Sequence, residues 1–97
     1  MNKDEIYKTV VKQLEYLNET LPEEQKFLVS RETILFGRGS SIDSMSLVSV
    51  IVDLEGFFFD EMGMEISLTD DNAMTREISP YDNVSNLVDY LDELINP

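Results

Sequence analysis

Apolar residues recur at helical spacing in three separate segments of the chain. The three stripes are Ile6, Val10, Leu14, Leu17 and Leu21; then Leu47, Ile51, Leu54, Phe58 and Met62; then Val84, Leu87, Val88, Leu91 and Ile95. Residues at this spacing share one face of an α-helix, and that face is buried against a core. No strand pattern longer than the fragments FLV or EISL competes with them. The pattern predicts an all-α fold with three main helices.

Residues that favour helix ends flank these segments. Asn2, Asp43 and Asn83 are typical N-cap residues. Pro22 is expected to end the first helix and Gly63 the second, because proline and glycine interrupt helical geometry. The flanking residues therefore predict helices that begin near residues 3, 44 and 84.

Two connections complete the predicted domain. The long first loop carries a few apolar side chains expected to anchor it, namely Phe27, Leu28, Val29, Ile34, Leu35 and Phe36. The second connection is rich in turn residues, and Asp70, Asp71 and Asn72 can cap one short helical turn there. We predict a single domain over residues 1–97, a small bundle of three main helices plus one short helix, with a long first loop.

Negative charge dominates the composition. The 97 residues include 20 acidic and 7 basic side chains, a net charge of −13. Residues 40–97 alone carry −12, because Arg76 is their only basic residue. Such a field repels nucleic acid and anionic membranes and favours encounter with basic protein surfaces. The N-terminus lacks the apolar run of a signal peptide, so a cytoplasmic protein is expected.

The chain has few of the groups that enzymes use. It contains no histidine and no cysteine, which removes the commonest general base and every thiol nucleophile. The acidic run from Asp70 has Met74 and Arg76 where a calcium loop needs a ligand and a glycine. We therefore expect no catalytic activity and no metal site.

One serine has an unusual setting. Ser44 follows Asp43 at the predicted start of the second helix. A serine at this place ordinarily satisfies the free amides of the first turn. Its hydroxyl would also lie at the positive end of the helix dipole, where an attached phosphate is favoured. A second apolar strip, surplus to the buried stripe, begins at the next residue and consists of Met45, Val48, Val52 and Phe59.

These residues resemble the acyl carrier protein family, whose signature is Asp-Ser-Leu at the start of its second helix. Here the triplet is Asp43-Ser44-Met45, followed by LVSVIVDLEGFF, and NVSNLVDYL is similar to the last helix of the family. The resemblance extends from about Ile6 to Ile95. It implies a non-catalytic carrier of an acyl group.

The resemblance also implies a role for individual residues. A phosphopantetheinyl transferase would attach 4′-phosphopantetheine from coenzyme A to Ser44, which Asp43 would help to present. The thiol of the arm would then carry the acyl group as a thioester. Partner enzymes would contact an apolar and acidic surface consisting of Met45, Val48, Val52, Asp53, Glu55, Asp60 and Glu61. The expected partners are that transferase, an acyl-loading ligase or transferase, and downstream synthase enzymes with basic surfaces; the carrier itself is expected to be a monomer.

Two departures and several alternatives accompany this interpretation. Ser46 and Ser49 occupy positions that are often acidic in fatty-acid carriers, and the segments before Ser44 and after Phe58 are longer. These departures favour a specialised pathway over housekeeping fatty-acid synthesis.

The alternatives to this interpretation are a peptidyl or aminoacyl carrier, an acidic interaction module such as a nucleic-acid mimic, and a small acidic metal-binding regulator.

Overall fold

A computed structural model describes residues 1–70, 73, 75 and 78–97. The three main helices are α1 (Lys3–Glu19), α2 (Ser44–Met62) and α3 (Val84–Ile95). A short 3-10 turn, Glu23–Gln25, lies in the first loop. The described residues form no strand, so the predicted all-helical class with three main helices is confirmed.

The predicted capping residues start and end the helices. The Asn2 side chain accepts a hydrogen bond from Glu5 N, and the Glu5 carboxylate accepts one from Asn2 N, which together form a capping box. The Asn83 side chain accepts from Asn86 N at 2.8 Å. Gly63 ends α2 in the left-handed conformation at φ 65°, which glycine adopts without steric cost. The ends of the helices therefore follow from short-range side-chain chemistry.

α1 packs against both α2 and α3. Most of the predicted stripes lie in the shared core, and the members of this set are Ile6, Val10, Leu14, Leu47, Ile51, Leu54, Phe58, Val84, Leu87, Val88, Leu91 and Ile95. Leu17 and Leu21 are only half-buried. The burial expected for Met62 was wrong: this residue ends α2 at the margin of the core and is 37% exposed. Val50, outside the predicted stripe, is buried instead.

The loops supply the rest of the core. Leu35 and Ile42 come from the first loop, and Leu68 comes from the second connection. Two of the expected loop anchors were wrong, because Leu28 and Phe36 are exposed. Apolar loop residues lack a helical period, so the sequence does not show which of them turn inward.

Hydrogen bonds to its backbone groups attach the first loop to α1 and to α3. The Asn18 side chain, on α1, donates to Phe27 O and accepts from Phe27 N. Near the middle of the loop, Thr33 O accepts a hydrogen bond at 3.0 Å from Val84 N, at the start of α3. These bonds satisfy loop polar groups that would otherwise be left unpaired, and they hold this part of the loop against α1 and α3.

The predicted short helix after α2 falls largely outside the described residues, since Asp71, Asn72, Met74, Arg76 and Glu77 are not among them. Asp70 Oδ1 accepts a hydrogen bond from Ala73 N at 3.1 Å. In the described part of the chain, no helix combines the length and hydrophobicity needed to cross a membrane.

Candidate functional site

Asp43 caps the N-terminus of α2. Its backbone is extended and its Oδ1 accepts a hydrogen bond from Ser46 N at 2.7 Å. The hydrogen bonds from the backbone and side chain of Ser46 lower the pKa of the Asp43 carboxyl below its ordinary value, since they stabilise the charged form. A carboxylate is also favoured here by the positive end of the helix dipole. Asp43 therefore fixes the residue at which α2 begins.

Ser44 is the first residue of α2 and is exposed. The structure thus places its hydroxyl at a helix N-terminus and in contact with solvent, as the sequence predicted. A group attached to this oxygen would lie at the positive end of the helix dipole and in contact with water.

Ser40 holds the segment that precedes this helix, a role that was not predicted from the sequence. Its hydroxyl oxygen accepts a hydrogen bond from Ile42 N at 3.0 Å and lies 2.9 Å from Ile34 O. Ile42 is buried, so the turn is fixed by packing as well as by hydrogen bonds. The signal for this role is a serine two residues before an apolar residue in a glycine-rich stretch, the pattern of a serine turn.

The surplus apolar strip is exposed along α2. The exposed fractions are 82% for Met45, 56% for Val48, 57% for Val52 and 53% for Phe59. Ser44, Met45, Val48 and Ser49 line a shallow open depression of about 330 Å³. The structure therefore brings Ser44 together with the first two apolar residues of the predicted partner surface.

The four acidic residues of the predicted partner surface do not form one cluster. Asp53, Asp60 and Glu61 are exposed, whereas Glu55 is half-buried. Asp60 is sixteen residues beyond Ser44, which separates them by about 24 Å along the helix axis. The predicted partner surface thus extends over nearly the full length of α2.

Glu55 has a contact within the fold that the sequence did not reveal. Its Oε2 accepts a hydrogen bond from Leu68 N at 2.9 Å, and the Tyr81 hydroxyl donates to Leu68 O. Burial, and secondarily the negative charge of Glu55, raises the pKa of Tyr81 to about 12. The two side chains thereby hold both backbone groups of Leu68, whose side chain is buried in the core.

Among the described residues, no three acidic side chains come close enough to form a candidate metal site. Comparison of the chain with known proteins finds no matching family model, no matching curated protein and no matching solved structure. The geometry around Ser44 is therefore the feature of this protein that bears most directly on its function.

Proposed function

We propose that this chain is an acyl carrier protein in which Ser44 bears a 4′-phosphopantetheine arm. The observation that carries the proposal is the position of Ser44, exposed at the first residue of α2 beside an exposed apolar strip. The helix N-terminus favours the phosphate of the arm. The strip gives partner enzymes an apolar surface next to the attachment point.

Attachment would transfer the 4′-phosphopantetheine group from coenzyme A to the hydroxyl of Ser44. The Ser44 hydroxyl oxygen attacks the diphosphate of coenzyme A at the phosphorus that bears the pantetheine. A new bond forms between that phosphorus and Ser44 Oγ, the bond to the second phosphate breaks, and adenosine 3′,5′-bisphosphate leaves. A base on the transferase takes the hydroxyl proton, because the carrier has no histidine to do so.

The remaining surface of α2 suits enzymes with basic grooves. Asp53, Asp60 and Glu61 are exposed carboxylates along the helix, and opposite charges on two proteins increase the rate of encounter and set orientation. The proposed partners are the transferase, an acyl-loading ligase or transferase, and downstream synthases in the cytoplasm. The positions of Ser46 and Ser49 are often acidic in fatty-acid carriers, so the two serines favour a specialised pathway.

Incubation with coenzyme A, Mg²⁺ and a broad-specificity phosphopantetheinyl transferase tests the proposal. We expect intact-mass spectra to show the addition of one 4′-phosphopantetheinyl group to the wild-type protein and none to Ser44→Ala. Ser49→Ala is the matched control, since Ser49 is also exposed and lines the same depression; it should be modified like the wild type. The proposal fails if the wild type gains no mass while a standard carrier in the same reaction does, or if Ser44→Ala is still modified.

A further inference from the structure

Three surface depressions adjoin one another between Ser44 and the middle of α1. The depression at Ser44 shares Ser49 with a second one of about 260 Å³. The second shares Gln13 and Tyr16 with a third one of about 370 Å³, which lies between α1 and α2 near Phe57. We name the second and third depressions together the α1–α2 groove. It begins beside the proposed attachment point.

Regular helix geometry produces this groove. Ser49, Asp53 and Phe57 are spaced four residues apart, so they line one face of α2. Each of them lines part of the groove opposite α1. Phe57 is thirteen residues beyond Ser44, about 20 Å along the helix axis, a distance that an extended arm with its cargo can cover.

The charge of the groove changes along its length. Gln13 and Tyr16 line both depressions, so polar and apolar side chains border the groove throughout. The depression nearer Ser44 carries the Asp53 carboxylate, whereas the farther one carries the ammonium groups of Lys8 and Lys12. An elongated ligand with hydrogen-bond donors first and an anion at its far end would match this order.

Two cations border the far end of the groove, where Lys8 and Lys12 line the third depression. They are two of only seven basic residues in a chain of net charge −13. Lys12 Nζ lies 5.9 Å from the centre of the Tyr16 ring, and Lys8 Nζ forms an exposed ion pair with Asp4 at 3.3 Å. An exposed ion pair and an exposed cation–π contact are both weak interactions, so both ammonium groups can bind a further anion.

We propose that the α1–α2 groove holds the end of the arm when its cargo terminates in a carboxylate. The inference deepens the proposed function and rests on it. Amide N–H groups of the arm would donate to Asp53, the carbon chain of the cargo would lie against Tyr16 and Phe57, and its carboxylate would bind Lys8 and Lys12. Asp53 repels a carboxylate at the near end of the groove, which selects a cargo long enough to reach the lysines.

Amide NMR spectra of two loaded forms of the wild-type protein test this proposal. Succinyl and butyryl groups have the same carbon count, but only the succinyl group ends in a carboxylate. We expect the succinyl form to shift the amide signals around Lys8, Lys12 and Phe57 and the butyryl form to leave those around the lysines unchanged. Equal shifts from both cargoes, or shifts confined to the surroundings of Leu68 and Tyr81, would overturn it.

A free ligand separates this proposal from the proposed function. Titration of Ser44→Ala with S-carboxymethyl pantetheine should shift the same groove signals without any covalent attachment. Lys8→Gln and Lys12→Gln, each added to Ser44→Ala, should weaken binding about 2- to 5-fold, as expected for one exposed charge pair. Lys26→Gln is the matched control, because Lys26 also forms an exposed ion pair but lies outside the groove; it should not change binding.

The combined outcomes are decisive for each proposal. Covalent loading without groove signals in either experiment rejects the groove and leaves the carrier function standing. Groove signals with the free ligand but no covalent loading reject the carrier function and leave an anion-binding groove. If neither Lys8→Gln nor Lys12→Gln weakens binding of S-carboxymethyl pantetheine, the groove is rejected as a carboxylate site.

Discussion

At the scale of single residues, Asp43 has the clearest measurable role. Asn caps helices as well as Asp does, so Asp43→Asn should retain the melting temperature of the wild type near pH 7, whereas Asp43→Ala should lower it. The pKa of Asp43 is lower in the folded protein than its ordinary value of 3.8. Its stabilisation is therefore present above that value and is lost as the pH falls through the folded pKa. Thermal melts at decreasing pH should fall less steeply for Asp43→Asn than for the wild type.

Asp60→Asn provides the control for this measurement. It removes one exposed carboxylate from the far end of α2, so its melting curve should follow the acid dependence of the wild type. If Asp43→Asn lost stability in acid as steeply as the wild type does, the cap would not be the source of the pH dependence.

The placement of Asp43 and Ser44 could be predicted because capping joins residues only three positions apart. The roles of Ser40 and Glu55 could not. Ser40 acts through a turn whose meaning depends on Ile42 being buried, and Glu55 bonds to Leu68, thirteen residues away. A contact between residues so far apart in sequence depends on how the connection after α2 folds back onto the helix. The spacing of apolar residues does not predict this.

At the scale of structural elements, Tyr81 holds the connection between α2 and α3 against the core. Tyr81→Phe removes the hydrogen bond to Leu68 O, so we expect a loss of about 1–2 kcal/mol in the free energy of unfolding near neutral pH. Tyr16→Phe is the control: Tyr16 is half-exposed and lies on α1, and its change should be small. Chemical denaturation measures both, and an unchanged stability of Tyr81→Phe would contradict the role of this bond.

The pH dependence of the same variant has a definite sign. The pKa of Tyr81 rises from 10.0 to about 12 on folding, so its neutral form stabilises the fold fully below pH 10 and that stabilisation disappears as the pH approaches 12. The stability difference between wild type and Tyr81→Phe should therefore shrink in this interval. Glu55 also accepts a hydrogen bond from Leu68 N, so the contribution to partner binding that we propose for Glu55 is best measured with Glu55→Gln, which keeps an oxygen acceptor.

The three helices were predictable because each has its own periodic stripe and its own cap. The connections were predictable only in part: Leu35 is buried as expected of a loop anchor, whereas the burial of Ile42 and Leu68 was not predicted, because apolar loop residues have no helical period. Val50 was missed for a similar reason although it lies within a helix. Its burial follows from the packing of α1 against α2, and tertiary packing cannot be deduced from the apolar stripe of one helix.

At the scale of the whole molecule, a net charge of −13 opposes folding through the mutual repulsion of the acidic side chains. Few ion pairs offset it within the described part of the chain, and these are Lys3–Asp89, Lys8–Asp4 and Lys26–Glu23. Lys3 joins α1 to α3, and the hydrogen bond and charge of Asp89 raise the pKa of Lys3. The net charge was readable from composition, but which acids the few cations would meet depended on the packing of the helices.

Salt should therefore stabilise this protein. Raising NaCl from about 0.01 M to about 0.3 M shortens the screening length from roughly 30 Å to below 8 Å, which weakens repulsion among acids spread over a molecule 39 × 29 × 22 Å in extent. We expect the melting temperature to rise over this range and then to level off. The variant Asp60→Asn with Glu61→Gln, which removes two exposed charges, should melt higher than the wild type at low salt and respond less to NaCl. A melting temperature independent of NaCl, or an equal salt response in the variant, would show that self-repulsion does not limit the stability of the fold.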